Sequence, residues 1–162
     1  MDKDFLTVIR SISDKLLQRG FRLTVAESCT GGFICNAVTN MPGSSGFFDL
    51  GVVVYSEEAK RTVLGISASL LRKHGTVSEE AAVAMAKGAK RLSGSDVSLS
   101  VTGVAGPESI EGKEVGLIYM AVAMEDMEET QGIRLTGERE DIKRQASLEA
   151  LQFLNQVLRI WL

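Results

Sequence analysis

The sequence predicts a single-domain, three-layer α/β/α sandwich around a mixed β-sheet. Its 162 residues are 44% hydrophobic and include only two prolines, which is enough for one compact core. Stretches with helical spacing of apolar residues alternate with short apolar or β-branched runs. No interdomain linker, internal repeat or low-complexity segment interrupts residues 1–162, so we expect one domain over the whole chain.

The first third of the chain predicts a helix, a strand, a short helix and a second strand. The apolar stripe of the first helix is Phe5, Val8, Ile9, Ile12, Leu16 and Leu17. Gly20 ends that helix, and the alternation of Phe21, Leu23 and Val25 then predicts a strand that leads to Ser28. After a loop over 41–46, the run 50–55 is continuously apolar, so we expect a strand covered on both faces and central in the sheet.

Helix starts are predicted where Ser56 and Ser78 each precede two glutamates, and the second of these helices should reach about Leu92. Between them, Arg72 to Gly75 is typical of the charged last turn of a helix closed by glycine. Strands are expected over 96–102, 115–124 and 131–135, the last two joined as a hairpin by an acidic turn. The apolar stripe of a long closing helix is Ile142, Ala146, Ala150, Leu154, Val157 and Trp161.

Charge and hydropathy exclude several classes of partner. The net charge is −3 and the basic residues are scattered, which disfavours binding to nucleic acid. The longest near-apolar run, 117–124, is too short to cross a bilayer, and the acidic start is unlike a secretory signal. We therefore expect a cytoplasmic protein without a membrane or nucleic-acid partner. Cys29 and Cys35 should be reduced thiols rather than a structural bridge.

The residue inventory also limits the chemistry. His74 is the only histidine and no CxxC pair is present, so we expect no metal and no cofactor. His74 lies in a predicted last helical turn, where a cation stabilising the helix end is a better interpretation than a triad histidine. A serine nucleophile in this chain would therefore need a lysine as its base.

Ser28 is the candidate nucleophile, because it lies where a predicted strand turns into a helix. Ligands of open α/β sheets bind outside the carboxyl ends of strands. The stretch 26–32 reads AESCTGG, and its glycines Gly31 and Gly32 offer backbone N–H groups to an anion or oxyanion. From these residues alone, a simple helix cap and a catalytic turn are equally good interpretations.

Lys60 and Tyr55 follow the second predicted strand, so two strand ends can bring Lys60 close to Ser28. Spacing alone favours a solvated lysine in a charged run, with Glu57 and Arg61 as an i,i+4 ion pair. Tyr55 fits either a core residue or a functional phenol. The loop 102–107 is either a ligand-facing turn or a tight connection. Arg139 opens the last helix where the dipole prefers anions, a local misfit of the kind that function can impose.

These motifs together resemble the CinA C-terminal domain family, whose stand-alone members are nicotinamide-nucleotide amidases, also called NMN deamidases. The matching stretches extend over essentially the whole chain. They are AESCTGG at 26–32, GVVVYSEEAK at 51–60, LGI at 64–66, HGTVS at 74–78, MA at 85–86, TGVAGP at 102–107, VG at 115–116 and GER at 137–139.

The resemblance implies an amidohydrolase in which Ser28 is the nucleophile, Lys60 its general base and Tyr55 an assisting hydroxyl. The residues implied to bind the substrate are Cys29, Thr30, Gly31, Gly32, Thr102, Gly103, Ala105, Gly106 and Arg139. The implied reaction converts nicotinamide mononucleotide to nicotinate mononucleotide and ammonia without a metal or cofactor. The implied assembly is a homo-oligomer, a dimer or larger. Because an ordinary lysine is protonated at neutral pH, this mechanism requires a lowered pKa at Lys60.

Three departures from the family pattern bear on activity. Glu57 stands where the family usually has asparagine, and Lys143 stands where arginine is common. The loop 108–113 reads ESIEGK, whereas the family commonly has an aspartate and further glycines there. Larger relatives carry an N-terminal nucleotide-processing domain, and we expect no pyrophosphatase activity from residues 1–162. One alternative is a non-catalytic nucleotide- or partner-binding module linked to competence or DNA damage. Another is chemistry at Cys29, because a thiol at a helix N-terminus can have a lowered pKa.

Overall fold

Five strands form one mixed sheet in the computed structural model, which describes residues 2–162. The strands are β1 (Leu23–Glu27), β2 (Phe48–Val53), β3 (Val97–Gly103), β4 (Leu117–Met124) and β5 (Met127–Arg134). Their order in the sheet is β2-β1-β3-β4-β5. Strand β1 pairs in parallel with β2 and β3, whereas β4 runs antiparallel to β3 and β5. The predicted mixed sheet and the predicted closing hairpin are both confirmed.

Two layers of helices cover the sheet. The helices are α1 (Lys3–Arg19), α2 (Phe33–Thr39), α3 (Glu57–Leu64), α4 (Ala68–His74), α5 (Glu79–Ser93) and α6 (Arg139–Trp161). Helices α1, α2 and α6 share the larger hydrophobic core on one face, and α3, α4 and α5 pack on the other. The predicted three-layer α/β/α sandwich is confirmed. Within residues 2–162, no helix is long and apolar enough to cross a membrane.

The predicted caps fix where several helices begin and end. Gly20 adopts a left-handed conformation with φ 66° and ends α1, as expected. The Ser56 hydroxyl accepts from the Ala59 amide at 3.0 Å and starts α3, and the Ser78 hydroxyl accepts from the Ala81 amide at 3.1 Å and starts α5. Each such cap stabilises its helix by about 1 kcal/mol. Three residues separate the end of β2 from the start of α3, which places Lys60 within the first turns of the helix.

Strand β2 is not the central strand that its apolar run predicted. It lies at the edge of the sheet, pairs only with β1, and has Gly51 and Val53 exposed to solvent. The central position belongs to β3, and β1 lies between β3 and the edge strand β2. All five residues of β1 are buried, including Thr24 and Glu27. A run of apolar residues shows that a segment packs well but not which strands flank it, so the run 50–55 did not reveal that β2 is an edge strand.

The α5 side of the sheet carries hydroxyl groups in place of large apolar side chains. The Ser98 hydroxyl donates to the Ala86 carbonyl at 2.7 Å, and the Ser100 hydroxyl donates to the Ala82 carbonyl at 2.5 Å. One step further along β3, the Thr102 hydroxyl donates to the Thr76 carbonyl at 2.7 Å. This row of hydrogen bonds ties β3 to α5 and leads directly to the carboxyl ends of the central strands.

Candidate active site

Ser28 directly follows the carboxyl end of β1, an interior strand of the sheet. Its amide donates to the Val101 carbonyl of β3 at 3.0 Å, and its carbonyl accepts from the Gly31 amide at 3.1 Å. Gly31 and Gly32 have φ of 60° and 95°, so the turn after Ser28 uses a backbone conformation that favours glycine. The Ser28 side chain is 6% exposed, which places its hydroxyl just beneath the surface of a cleft.

Lys60 meets Ser28 in this cleft. The Lys60 Nζ lies 2.8 Å from the Ser28 Oγ and 2.8 Å from the Val54 carbonyl oxygen, and it is 3.4 Å from the Tyr55 carbonyl oxygen. Lys60 is only 1% exposed. The solvated lysine favoured by spacing alone is therefore wrong, because Lys60 and Leu64 form the buried stripe of α3. The spacing of charges along α3 does not show that the face with Lys60 and Leu64 packs toward the end of β1.

The environment of Lys60 shifts its protonation equilibrium toward the neutral amine, compared with a lysine in water. Burial lowers its pKa from 10.5 to about 8, because the charged ammonium loses its hydration. Electrostatic interactions with Cys29, Glu111 and Glu57 raise the pKa of Lys60 and so act in the opposite direction. A neutral amine has two N–H donors and one lone pair. With the Val54 and Tyr55 carbonyls accepting the two N–H groups, the lone pair is left to accept the Ser28 hydroxyl proton.

Tyr55 and Arg139 form a second polar pair at the mouth of the cleft. The Arg139 Nη2 donates to the Tyr55 hydroxyl at 2.8 Å, and its Nη1 donates to the Gly106 carbonyl. Tyr55 is 60% exposed because β2 ends two residues before it, so its interpretation as a core residue is wrong. A methyl group added to Gly31 would lie 3.4 Å from the Lys143 Nζ. Two cations of α6, Arg139 and Lys143, thus face the end of the sheet where Ser28 and Lys60 lie.

Most of the predicted site residues line one cleft. Those that do are Ser28, Cys29, Tyr55, Lys60, Thr102, Gly103, Ala105 and Arg139. Thr30, Gly31, Gly32 and Gly106 are not among the lining residues. Gly31 uses its amide for the Ser28 carbonyl, and Gly106 presents its carbonyl to Arg139. In the described residues 2–162, the amides of Cys29, Thr30 and Gly32 have no hydrogen-bond acceptor.

Three further lining residues, Thr76, Val77 and Ile110, were not predicted. The motif at 74–78 was noticed in the sequence, but nothing in it indicated a site. The connection is made by Glu111, whose carboxylate accepts from the Thr76 amide at 2.9 Å, the Thr76 hydroxyl at 2.6 Å and the Val77 amide at 3.4 Å. Burial opposes ionisation of Glu111, but these hydrogen bonds outweigh it and lower its pKa. The segment 108–113 is thereby anchored beside the cleft with Ile110 facing it.

The two thiols are poor candidates for the chemistry. Cys29 and Cys35 are free cysteines, consistent with the expectation of reduced thiols. Burial raises the pKa of Cys29 to about 12 and also raises the pKa of Cys35. The lowered thiol pKa considered for Cys29 is therefore wrong, because the loss of hydration at this position outweighs the nearby positive charge of Lys60.

The fold and the cleft define a class of protein: a three-layer α/β domain with a buried serine–lysine pair at the carboxyl end of its central parallel strands. The family model described as the CinA C-terminal domain matches residues 6–158. The chain belongs to this family, which confirms the resemblance drawn from its motifs.

Relatives and solved structures agree with this assignment. A CinA-like protein of Geotalea uraniireducens is 41% identical over 157 residues, which cover 96% of this chain and 37% of that protein. A CinA-like protein of Anaeromyxobacter dehalogenans is 44% identical over 146 residues, 90% of this chain and 36% of that protein. The chain spans only 33% to 38% of the length of the curated relatives it matches.

Among solved structures, the competence damage-inducible protein A (ComA) of Klebsiella pneumoniae superposes with a TM-score of 0.95 at 35% identity, covering 99% of this chain and 100% of that one. The competence/damage inducible protein CihA of Agrobacterium tumefaciens has a TM-score of 0.92 at 33% identity, covering 98% of each chain. The architecture described above is therefore that of CinA superfamily proteins.

Proposed function

We propose that this protein is a nicotinamide-nucleotide amidase, which hydrolyses the carboxamide of nicotinamide mononucleotide to nicotinate mononucleotide and ammonia. One observation carries the proposal: the buried Lys60 Nζ lies 2.8 Å from the Ser28 Oγ. A lysine with a pKa of about 8 is partly neutral near physiological pH and is able to act as a base. The substrate class rests on the activity of stand-alone family members.

In the first half of the reaction, the neutral Lys60 amine takes the hydroxyl proton of Ser28 as Oγ attacks the carboxamide carbon. The carbonyl oxygen becomes an oxyanion, and we propose that the amides of Cys29 and Thr30, which follow Ser28 and have no acceptor within residues 2–162, stabilise it. When the tetrahedral intermediate collapses, the carbon–nitrogen bond breaks and the Lys60 ammonium gives its proton to the departing nitrogen. Ammonia leaves, and the nicotinoyl group remains as an ester on Ser28.

In the second half, Lys60 is again neutral and accepts a proton from water as the water oxygen attacks the ester. Collapse of this second intermediate breaks the bond to the Ser28 Oγ. The Lys60 ammonium returns its proton to that oxygen, and the carboxylic acid product loses its own proton to solvent and leaves as the carboxylate. Each proton taken by Lys60 is given back, so the site is restored without a metal or redox partner.

The nucleotide part of the substrate carries a phosphate, and the mouth of the cleft carries the cations to hold it. Arg139 is fixed there by Tyr55 and the Gly106 carbonyl, and Lys143 lies over Gly31. A guanidinium offers paired donors that match a phosphate, whereas an ammonium acts as a point charge. We propose that Arg139 orients the phosphate and that Lys143 adds attraction.

The test is ammonia release from nicotinamide mononucleotide in the presence of a chelator. Wild type should turn over, whereas Ser28→Ala and Lys60→Ala should lose activity by about 10²-fold or more, the usual effect of removing a general base or its nucleophile. Matched controls are Ser69→Ala and Lys73→Ala, exposed positions of α4 that should retain wild-type rates. If folded wild type binds the nucleotide and releases no ammonia, the chain is the non-catalytic binding module instead.

A further inference from the structure

Glu27 is a buried acid that the reaction described above does not use. It is the last residue of β1, directly precedes Ser28 and is 0% exposed. Its Oε1 accepts from the Ile34 amide at 3.0 Å, and its Oε2 accepts from the Cys35 amide at 3.0 Å. Both amides belong to the first turn of α2, where backbone donors have no partner within the helix.

This contact is unlike the other helix caps of the chain. Helices α1, α3, α4 and α5 are each capped by a side chain of the residue immediately before the helix. Helix α2 has Gly32 at that position, with φ 95° and no side chain to offer. The acceptor comes instead from Glu27, so the side chain spans the whole turn that contains Ser28.

The backbone around Ser28 is therefore fixed by contacts on both sides. On one side, the Ser28 amide is held by the Val101 carbonyl of β3. On the other side, the two oxygens of Glu27 fix α2 relative to the end of β1. Lys60 contacts the Ser28 hydroxyl and Lys143 lies over Gly31, but within residues 2–162 no side chain is hydrogen-bonded to the backbone of residues 28–32 themselves. Burying a carboxylate completely costs free energy. A helix can be capped by an exposed side chain without that cost.

We propose that Glu27 is a positioning residue, which holds the turn after Ser28 against α2. This contact keeps the Ser28 Oγ within hydrogen-bond distance of the Lys60 Nζ. It also keeps the Cys29 and Thr30 amides available to bind the oxyanion. The proposal rests on the proposed function in taking Ser28 as the nucleophile. Misplacing a reacting group by about 1 Å can cost about 10²-fold in rate. Loss of the Glu27 contact should therefore slow chemistry at Ser28 more than it weakens substrate binding.

Glu27→Gln tests this with nearly unchanged volume, because an amide nitrogen cannot accept from the backbone of α2. The first readout is acylation of Ser28 by p-nitrophenyl acetate, followed by the mass of the Ser28 peptide. The second is the kcat and KM for nicotinamide mononucleotide. We expect Glu27→Gln to lower the acylation rate and kcat by at least about tenfold with little change in KM, and Glu27→Asp to recover part of the rate.

Two controls separate positioning from stability. Ser67→Ala removes the cap of α4, and Ile12→Val weakens the core of α1, both away from Ser28. These variants should lower the melting temperature and leave the acylation rate of the folded protein unchanged. If Glu27→Gln also melts earlier but acylates at the wild-type rate, Glu27 only stabilises α2 and the proposal is overturned.

The ester assay keeps this test independent of the substrate assignment. If wild type acylates at Ser28 but releases no ammonia from the nucleotide, the proposed substrate is wrong while the comparison of Glu27 variants still stands. If Glu27→Gln does not fold, Glu27→Asp decides the question: a slowed acylation with a native melting transition supports positioning, and a wild-type rate overturns it.

Discussion

In the proposed mechanism, the protonation state of Lys60 sets the pH at which Ser28 becomes reactive. Burial lowers its pKa to about 8, and the charges of Glu111 and Glu57 hold it above the value that burial alone would give. Below this pKa the ammonium predominates and cannot take the serine proton. Activity should therefore rise with pH and level off above about 8, as the amine loses its proton.

If the protein is the proposed amidase, Glu57→Asn should be more active than wild type at neutral pH. Removing the negative charge lowers the Lys60 pKa, so a larger fraction of the amine is neutral. Since Glu57 is exposed, solvent screens its charge, and we expect a shift of about 0.3 pH units and about a twofold gain in kcat at neutral pH. The measurement is the pH–rate profile, whose rising limb should move to lower pH.

Glu58→Gln is the matched control for this prediction. Glu58 lies in the same first turn of α3 but is not among the charges that act on Lys60. Both substitutions remove the same interaction with the helix dipole. An equal shift of the rising limb in the two variants would contradict a specific effect of Glu57 on Lys60.

The residues of the site were predictable to different degrees. Ser28 stood out because a serine, two glycines and a strand end coincide within a few positions. Lys60 did not, because its burial depends on how α3 packs against α5 and β1, contacts that lie far away along the chain. Glu27 gave no signal, because a glutamate at a strand end is normally exposed and only the turn back to α2 buries it.

At the scale of secondary structure elements, α5 sets the position of the helix that carries Lys60. Gly88 of α5 lies against the backbone of Leu64 at the end of α3, where an added Cβ would collide with the Leu64 carbonyl. The close approach lets α3 settle deeply enough for Lys60 to reach Ser28. A glycine in the middle of a helix is normally unfavourable, so here the packing explains its presence.

Gly88→Ala should therefore destabilise the protein and reduce its activity. In an exposed helix the substitution stabilises by about 1 kcal/mol. Here the Cβ forces α3 away from α5, so we expect a net loss of about 1–3 kcal/mol, typical of overpacking. Because α3 carries Lys60, kcat should fall as well. Urea unfolding and the rate of ammonia release are the two measurements.

The control for Gly88→Ala is Leu92→Ala, at an exposed position of the same helix. It should change stability by no more than about 0.5 kcal/mol and leave kcat unchanged. A stabilised Gly88→Ala protein with full activity would show that α3 yields without cost, contrary to this account of the α3–α5 contact.

Elements were predicted from local signals more reliably than their places in the sheet. Caps such as Ser56 and Ser78 and the terminator Gly20 are short-range features, and each was confirmed. The edge position of β2 was missed because strand order depends on pairings between distant segments. The anchoring of 108–113 on Thr76 and Val77 was missed for the same reason.

At the scale of the whole molecule, the cleft forms where separate parts of the chain meet at one end of the sheet. Ser28 comes from β1, Lys60 from α3, Thr102 from β3 and Arg139 from α6. None of these segments forms the cleft alone, so a ligand in it links both helical layers to the sheet. Binding should therefore stabilise the entire domain against unfolding.

Nicotinamide mononucleotide should raise the melting temperature of the inactive Ser28→Ala protein in a concentration-dependent way. At a ligand concentration near one hundred times Kd, binding adds about 2.7 kcal/mol to the free energy of unfolding. Each kcal/mol shifts the melting temperature of a domain of this size by about 2–4 °C.

Combining Ser28→Ala with Arg139→Ala should remove most of the shift if Arg139 holds the phosphate. Combining it with Arg134→Ala, which removes an exposed cation paired with Glu114, should leave the shift intact. Nicotinamide riboside, which lacks the phosphate, should give a smaller shift that no longer depends on Arg139. Equal shifts from the nucleotide and the riboside would place the phosphate outside the reach of Arg139 and contradict this orientation of the substrate.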